Sequence, residues 1–307
     1  MTTFLQTKKY DVPDNDYFWV KNIGLEISNF IIWANGTSNP SDVEYSYDKV
    51  NWNNLSTGSA TIFLYPNQKC YVRAKNLVSI NQDSCFHFNL NQCFSEVGGS
   101  VPALIDYEHK DSVTSIPDYY FYNFFENSSA MNNIYVSSFV KNADKIDFGN
   151  ITTVGNYGMY NMFSRCDLKI PPDLSSITTV GNYGMNYMFA TCTRLKSVPD
   201  LSSITTVGDS GLREMFRECV KLETGADLSS LTTIGNYGCT YMYQNCSYLK
   251  EATYPNVSTY NQNATGEWLY DAGGSYTGTK TVYCPTGVVI PTDSNSGIPT
   301  GWTRVDY

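Results

Sequence analysis

Residues 173–199 read DLSSITTVGNYGMNYMFATCTRLKSVP. The stretch recurs as DLSSITTVGDSGLREMFRECVKLETGA at 200–226 and as DLSSLTTIGNYGCTYMYQNCSYLKEAT at 227–253. A copy with a shorter tail, FGNITTVGNYGMYNMFSRCDLKIPP, precedes them at 148–172. Asp173, Asp200 and Asp227 open successive units 27 residues apart. A fixed period of this size marks a solenoid, in which each unit buries its apolar side against its neighbours. Such an array displays a surface more readily than it encloses an active site.

Each segment of the unit has its own pattern. LSSITTVG is β-branched and ends in Gly, which suits a short strand and a turn. In NYGMNYMFATC the apolar residues Met185, Met188 and Phe189 fall at i, i+3 and i+4, the spacing of a short inward-facing helix. Asn182 and its counterpart Asp209 stand where a helix N-cap belongs. RLKSVPD reads as a second strand whose Leu195 shares an inward column with Leu222 and Leu249. The expected unit is strand, helix, strand. Phe121 to Asn127 (FYNFFEN) echo MYNMFSR at 159–165 and read as a degenerate first repeat, since terminal repeats must cap an open core.

The remainder frames this array. The chain has 307 residues, 42% of them apolar and 16% charged, with a net charge of −9. Without a Lys/Arg cluster, nucleic acid is a poor partner. No apolar run approaches the roughly 18–20 residues that span a bilayer. The opening MTTFLQTKKYDVPDND has no basic segment leading into an apolar run, so no secretory signal is expected. In residues 1–80 the runs YFWV, NFIIWA, VEYSY, TIFLY and CYVRAKN, parted by polar turns, suggest an immunoglobulin-like or fibronectin-like β-sandwich. Trp19, Trp33 and Trp52 face either its core or a ligand, and the core is the expectation, since a domain this small needs large apolar side chains. Residues 81–147 are a connector ending in the degenerate repeat, 148–256 hold the regular repeats, and 257–307 form a C-terminal β cap. In that cap SGIPTGWTRVDY lies across the last coil, sealed by Trp268 and Trp302. The fold class expected is α+β, rich in β.

The unit MFxxCxxLxxxPDLSSITTVGNYG resembles the BspA-like leucine-rich repeats, found in surface proteins of gut Bacteroidota and in proteins of their phages. VEYSYDKVNWNNL with LYPNQKCYVRAKN resembles the β domain preceding such repeats, and VYCP…SGIPTGWTRVDY their closing segment. The resemblance implies adhesion and contact with a host surface. Since no export signal is expected, it points to a phage fibre or appendage protein, assembled in the host cytoplasm and carried on the virion. That protein would bind other virion proteins through its N-terminal domain, bind a host-surface glycan or protein through its repeats, and form a homo-oligomer. A bacterial cell-surface adhesin and a capsid decoration protein without external ligand are the alternatives.

Few residues invite chemistry, and no enzyme activity, cofactor or metal is expected. Nine cysteines include a column, Cys166, Cys192, Cys219 and Cys246, whose parallel Cβ vectors suit a disulfide badly, so buried free thiols are expected. Gly208 to Gly211 spell GDSG, a protease nucleophile motif, yet Ser210 only replaces the Tyr183 of a sister repeat, and a triad needs a base within reach. Asp173, Asp200 and Asp227 are expected to close turns on their own backbone rather than hold a cation. Residues beside the inward Leu vary between units: Asp167, Lys169, Arg194, Lys196, Lys221, Glu223, Tyr248 and Lys250. Alternation turns them outward, and this variable strand face is the candidate binding surface. The column Tyr157, Tyr183 and Tyr237 either packs between coils or offers rings on which sugars stack.

Overall fold

The computed structural model describes residues 14–33, 42–55, 58–75, 87–90, 95–125, 140–258, 263–292 and 296–307. The strands are β1 (Phe18–Asn22), β2 (Ser28–Trp33), β3 (Val43–Ser46), β4 (Asn53–Asn54), β5 (Ser59–Leu64), β6 (Lys69–Ala74), β7 (His87–Asn89), β8 (Ser95–Ser100), β9 (Ser115–Ile116), β10 (Val140–Asp147), β11 (Thr153–Val154), β12 (Thr179–Val180), β13 (Thr206–Val207), β14 (Thr233–Ile234), β15 (Glu251–Thr253), β16 (Lys280–Cys284) and β17 (Trp302–Asp306). One short α-helix, α1 (Pro102–Asp106), is present among the described residues.

Two sheets build the N-terminal part. One has the order β10-β8-β1-β6-β3-β4 and is antiparallel except where β10 joins β8; the other is antiparallel with the order β5-β2-β7. Phe18 and Val20 from the first sheet meet Phe30, Ile32 and Phe88 from the second in one buried core, and the rings of Phe18 and Phe88 stack at 5.8 Å. These sheets do not stop at residue 80, because β7, β8 and β10 come from the segment read as a connector. Trp19 is buried, whereas Trp52 is only half-buried and lies against the Arg73 guanidinium, 3.9 Å from its ring centre. The Trp33 side chain lies outside the described residues.

The repeats pair in register. Strands β9, β11, β12, β13 and β14 form one parallel sheet, with Thr179 opposite Thr206 and Val180 opposite Val207. Ser115–Ile116 and the following turn run thus form the first coil, which the FYNFFEN echo had suggested. On the opposite side the second strands are single bridges, Ser197 to Thr224 and Thr224 to Glu251, which continue into β15, β16 and β17. The C-terminal segment therefore extends this sheet as its last parallel strand instead of lying across the coil.

The expected helix does not form, and the class is β-rich with almost no helix rather than α+β. Residues 182–192 run as overlapping turns. The N–H of Gly184 donates back to the Gly181 carbonyl (3.0 Å), while that of Met185 donates to Gly211 in the next coil (2.9 Å); this alternation continues to Cys192 and recurs in each coil. Every fourth residue has positive φ: Tyr183 (55°), Tyr187 (56°) and Thr191 (61°) in this coil. A four-residue period lies close enough to 3.6 to imitate helical spacing, and it points Met185, Met188, Phe189 and Cys192 inward, all fully buried. Gly at 158, 184, 211 and 238 also disfavours helix by about 1 kcal/mol each. Asn182 is not an N-cap. Its Oδ1 accepts the Asp209 N–H (2.8 Å), and its own N–H donates to Asn156 Oδ1 (2.9 Å), so an Asp/Asn ladder links the coils.

A file of aromatic rings runs down the stack. Phe125 meets Phe163 at 5.1 Å, and Phe163, Phe189, Phe216 and Tyr243 follow at 5.6–5.7 Å before Trp268 closes the series at 6.1 Å. Phe125 also contacts Phe18 and Phe88, so the file is continuous with the core of the N-terminal sheets. Beside it stands the cysteine column. Cys192, Cys219 and Cys246 donate S–H bonds to the carbonyls of Phe163, Phe189 and Phe216 at 3.0–3.2 Å. Among the described residues the cysteines are buried and form no disulfide, and burial pushes the thiols of Cys192, Cys219 and Cys246 upward in pKa. Asp173, Asp200 and Asp227 each accept the N–H two residues on, at 2.9 Å, closing their turns.

Candidate recognition site

The eight residues that vary beside the inward Leu lie in the turns and loops that lead to the bridges at Ile170, Ser197, Thr224 and Glu251, not in strands as expected, and together make up the strand face. Lys169, Arg194, Lys196, Lys221, Glu223 and Tyr248 are exposed, and Asp167 and Lys250 are half-buried. Stacking brings residues 27 positions apart together. Arg194 pairs with Asp167 at 3.1 Å, and Lys250 pairs with Glu223 at 3.2 Å. Glu223 raises the pKa of Lys250 through this contact. Exposed pairs of this kind contribute little to stability, because water screens them. They organise the face without closing a pocket.

The turn face is more shaped, and sequence reasoning assigned most of it no role. Column positions with positive φ project Tyr119, Tyr157 and Tyr183, whose rings stack at 4.8 and 4.7 Å with planes within 7°. Burial, then its two neighbouring phenols, raises the pKa of Tyr157. Ser210 occupies the next position, and Tyr237 follows it. A hollow of about 420 Å³ opens there, lined by Tyr183, Ser210, Arg213, Tyr237, Thr240 and Glu267 among others. A second hollow of about 360 Å³, lined by Tyr160, Arg165, Tyr187, Thr191, Arg217 and Glu218 among others, lies on the same turn layer.

Glu214 holds the ground between the two hollows. Its side chain is 3% exposed, and Arg213 Nη2 and Arg217 Nη1 grip its two oxygens at 3.0 and 2.8 Å. Burial, with a hydrogen bond to Glu214, pushes the Tyr187 phenol up to about 12. Arg213, Glu214 and Arg217 come from the unit 200–226, the copy that reads GDSG where its sisters read GNYG. That departure was visible in the sequence. It reads there as the loss of a Tyr; the charges that accompany it, Arg213, Glu214 and Arg217, are the signal for this site. The only histidine with a described side chain, His109, is bonded to Asp106 (2.8 Å). Among the described residues no group of three His, Cys, Asp or Glu is placed to hold a metal ion, and no helix is long and apolar enough to cross a membrane.

The 27-residue spacing, the parallel register and the inward Leu column belong to a repeat array. Residues 185–266 match the BspA type leucine rich repeat region, in six copies. Repeat regions of this class are typically interaction modules without catalysis. The matched segment includes Ser210, Arg213 and Tyr237 of the first hollow and Tyr187, Arg217 and Glu218 of the second, so both hollows draw residues from it. Comparisons with curated proteins and with solved structures give no match.

Proposed function

We propose that the chain is a non-enzymatic display protein of a phage particle, a fibre or appendage component that binds a host-surface glycan or protein through its repeats. In this reading the N-terminal sheets, a sandwich of the immunoglobulin or fibronectin kind, attach the protein to other virion proteins. The leucine-rich-repeat solenoid faces outward, and several copies assemble together. One observation carries the reading: the backbone pairing is the same from coil to coil, while the exposed side chains on the strand and turn faces differ. A scaffold that repeats beneath a surface that varies suits recognition. The two ends also differ in character. The end of β2 and β5 exposes Leu25 (96%), Ile27, Phe63 (58%) and Tyr65, an apolar group of the kind used for protein contact.

A bacterial cell-surface adhesin is the second reading, favoured by the match to the BspA-type region, which is compatible with surface adhesion. Mass spectrometry and cryo-electron microscopy of purified particles separate the two. A stoichiometric chain at a defined position on the particle is the expected result. Absence from particles with presence on cell envelopes would overturn it and favour the adhesin. Replacing Lys196 and Lys250 by Glu tests the strand face directly, since unchanged host-cell binding would dismiss that face as the recognition surface.

A further inference from the structure

The tyrosine column of the turn face is regular except at one place. Tyr119, Tyr157 and Tyr183 stack ring on ring, and Tyr237 resumes the column, but the coil between Tyr183 and Tyr237 carries Ser210. Its backbone is unchanged: φ is 54° there and 55–59° at its two neighbours in the column. The column therefore lacks one ring and nothing else. The gap between the flanking residues is two coil steps, about 9–10 Å. Tyr237, deprived of a neighbour, is 53% exposed, while Ser210 is 2% exposed at the floor of the hollow.

We propose that this slot is a subsite for a single pyranose ring of a glycan, held between the faces of Tyr183 and Tyr237. The proposal rests on reading the repeats as a recognition surface and names the chemistry of one part of it. The missing member of the column is ring-sized, and a sugar presents C–H bonds on both faces to the electron-rich faces of two phenols. The rim decides between a sugar and a plain aromatic ring. Arg213 lines the slot, and its half-buried guanidinium, held by Glu214 through Nη2, keeps further N–H donors. The Glu267 carboxylate accepts from Tyr241 and keeps further acceptor capacity. Thr240 Oγ1 donates to the Asn263 carbonyl at 3.4 Å and remains able to accept. Donors and acceptors arranged around an aromatic slot suit ring hydroxyls, whereas an aromatic side chain would leave them unmatched.

Saturation-transfer NMR on the full chain tests this, with methyl β-D-glucopyranoside, methyl β-D-galactopyranoside and N-acetylglucosamine as probes at millimolar concentration, where a single-ring subsite binds. Ring protons of at least one probe should receive saturation. Ser210→Tyr should abolish the transfer while the protein stays folded, because sister coils carry Tyr at this position with the same φ. Tyr237→Ala, which leaves the slot open on one side, should weaken binding roughly 3- to 10-fold. No transfer to any of the three sugars, or transfer that survives Ser210→Tyr, would overturn the proposal. So would transfer to N-acetyltyrosinamide alone, blocked by Ser210→Tyr, which would assign the slot to an aromatic side chain of a protein. Host-surface binding by the same variants keeps the two readings apart. Sugars that fail while the unaltered chain still binds the host surface overturn the slot alone. A chain that binds the sugar through the slot yet is missing from particles overturns the virion reading alone.

Discussion

At the scale of single residues, two positions show how tightly the coils are joined. A Cβ on Gly208 would stand 2.5 Å from Asn182 Oδ1 and 2.8 Å from the Asn182 nitrogen, against the ladder that links the coils. Gly208→Ala should therefore lower stability by about 1–3 kcal/mol in urea unfolding, as overpacking does. Glu214 is the opposite case, a buried charge held by two arginines. Glu214→Gln keeps the shape and removes the anion from between Arg213 and Arg217, which are themselves partly open to solvent, a change that should cost about 1–3 kcal/mol on the same curve. Tyr187 adds a pH dependence. Its folded pKa, near 12, lies above the ordinary 10, so the folded protein keeps a proton that the unfolded chain loses. Its contribution is present below pH 10 and is lost as pH rises towards 12. The buried thiols act with the same sign from about pH 9 upward; Cys284, for example, is pushed up to about 11. Stability measured from pH 9 to 12 should fall, and Tyr187→Phe should flatten the fall above pH 10 without removing it.

At the scale of elements, the sequence made the strands legible and disguised the segment between them. Thr-Val-Gly fixed the short strands, the inward Leu column fixed the opposite bridges, and the Asp turns follow their ordinary backbone bonding. The stretch from Asn182 to Cys192 misleads because inward positions at i, i+3 and i+4 satisfy two geometries. What separates them is where the N–H groups go, and half of them go to another coil, a partner that no local pattern reveals. The same limit applied to the site. Alternation pointed the variable residues beside the inward Leu outward, where most of them are exposed, although they lie in turns and loops and not in strands. The pairing of Arg194 with Asp167, and the grip of Arg213 and Arg217 on Glu214, depend on which coil lies beside which and on where the turns point. The cysteine column permits a check at this scale. Because each S–H is buried against a carbonyl of the preceding coil, alkylation of the described thiols should be slow in the folded protein. It should accelerate in urea along the same curve as loss of structure. Rapid labelling of Cys192 or Cys219 before unfolding would contradict the packing.

At the scale of the whole molecule, the aromatic file joins what the sequence had divided into separate parts. Phe18 and Phe88 of the N-terminal sheets touch Phe125, and Phe125 touches Phe163, which begins the run to Trp268. Strand β10 makes the same join along the backbone, pairing with β8 on one side and bridging from Asn142 to Ile170 on the other. Unfolding should therefore be a single cooperative transition. Phe189→Ala, at the middle of the file, should lower stability by about 3–5 kcal/mol and shift the entire transition. Two separate transitions would show that the N-terminal sheets and the repeats are independent.

In the turn layer the bonds between coils run in one direction, each coil giving N–H groups to the next and receiving them from the one before, while on the strand side the later coil gives to the earlier. Nothing in that arrangement fixes how many coils there are. In genetic terms the unit can be copied in frame, and its place in the stack sets what the copy does. Duplicating residues 227–253 would lengthen the array by about 4.8 Å and leave the gap at Ser210 as it stands. Duplicating 200–226 would set two serine coils side by side and widen the gap by one step. A lineage carrying this protein can thus alter its reach and its specificity by separate events, and a single codon, serine or tyrosine at that turn, is enough to open or close the opening between two rings.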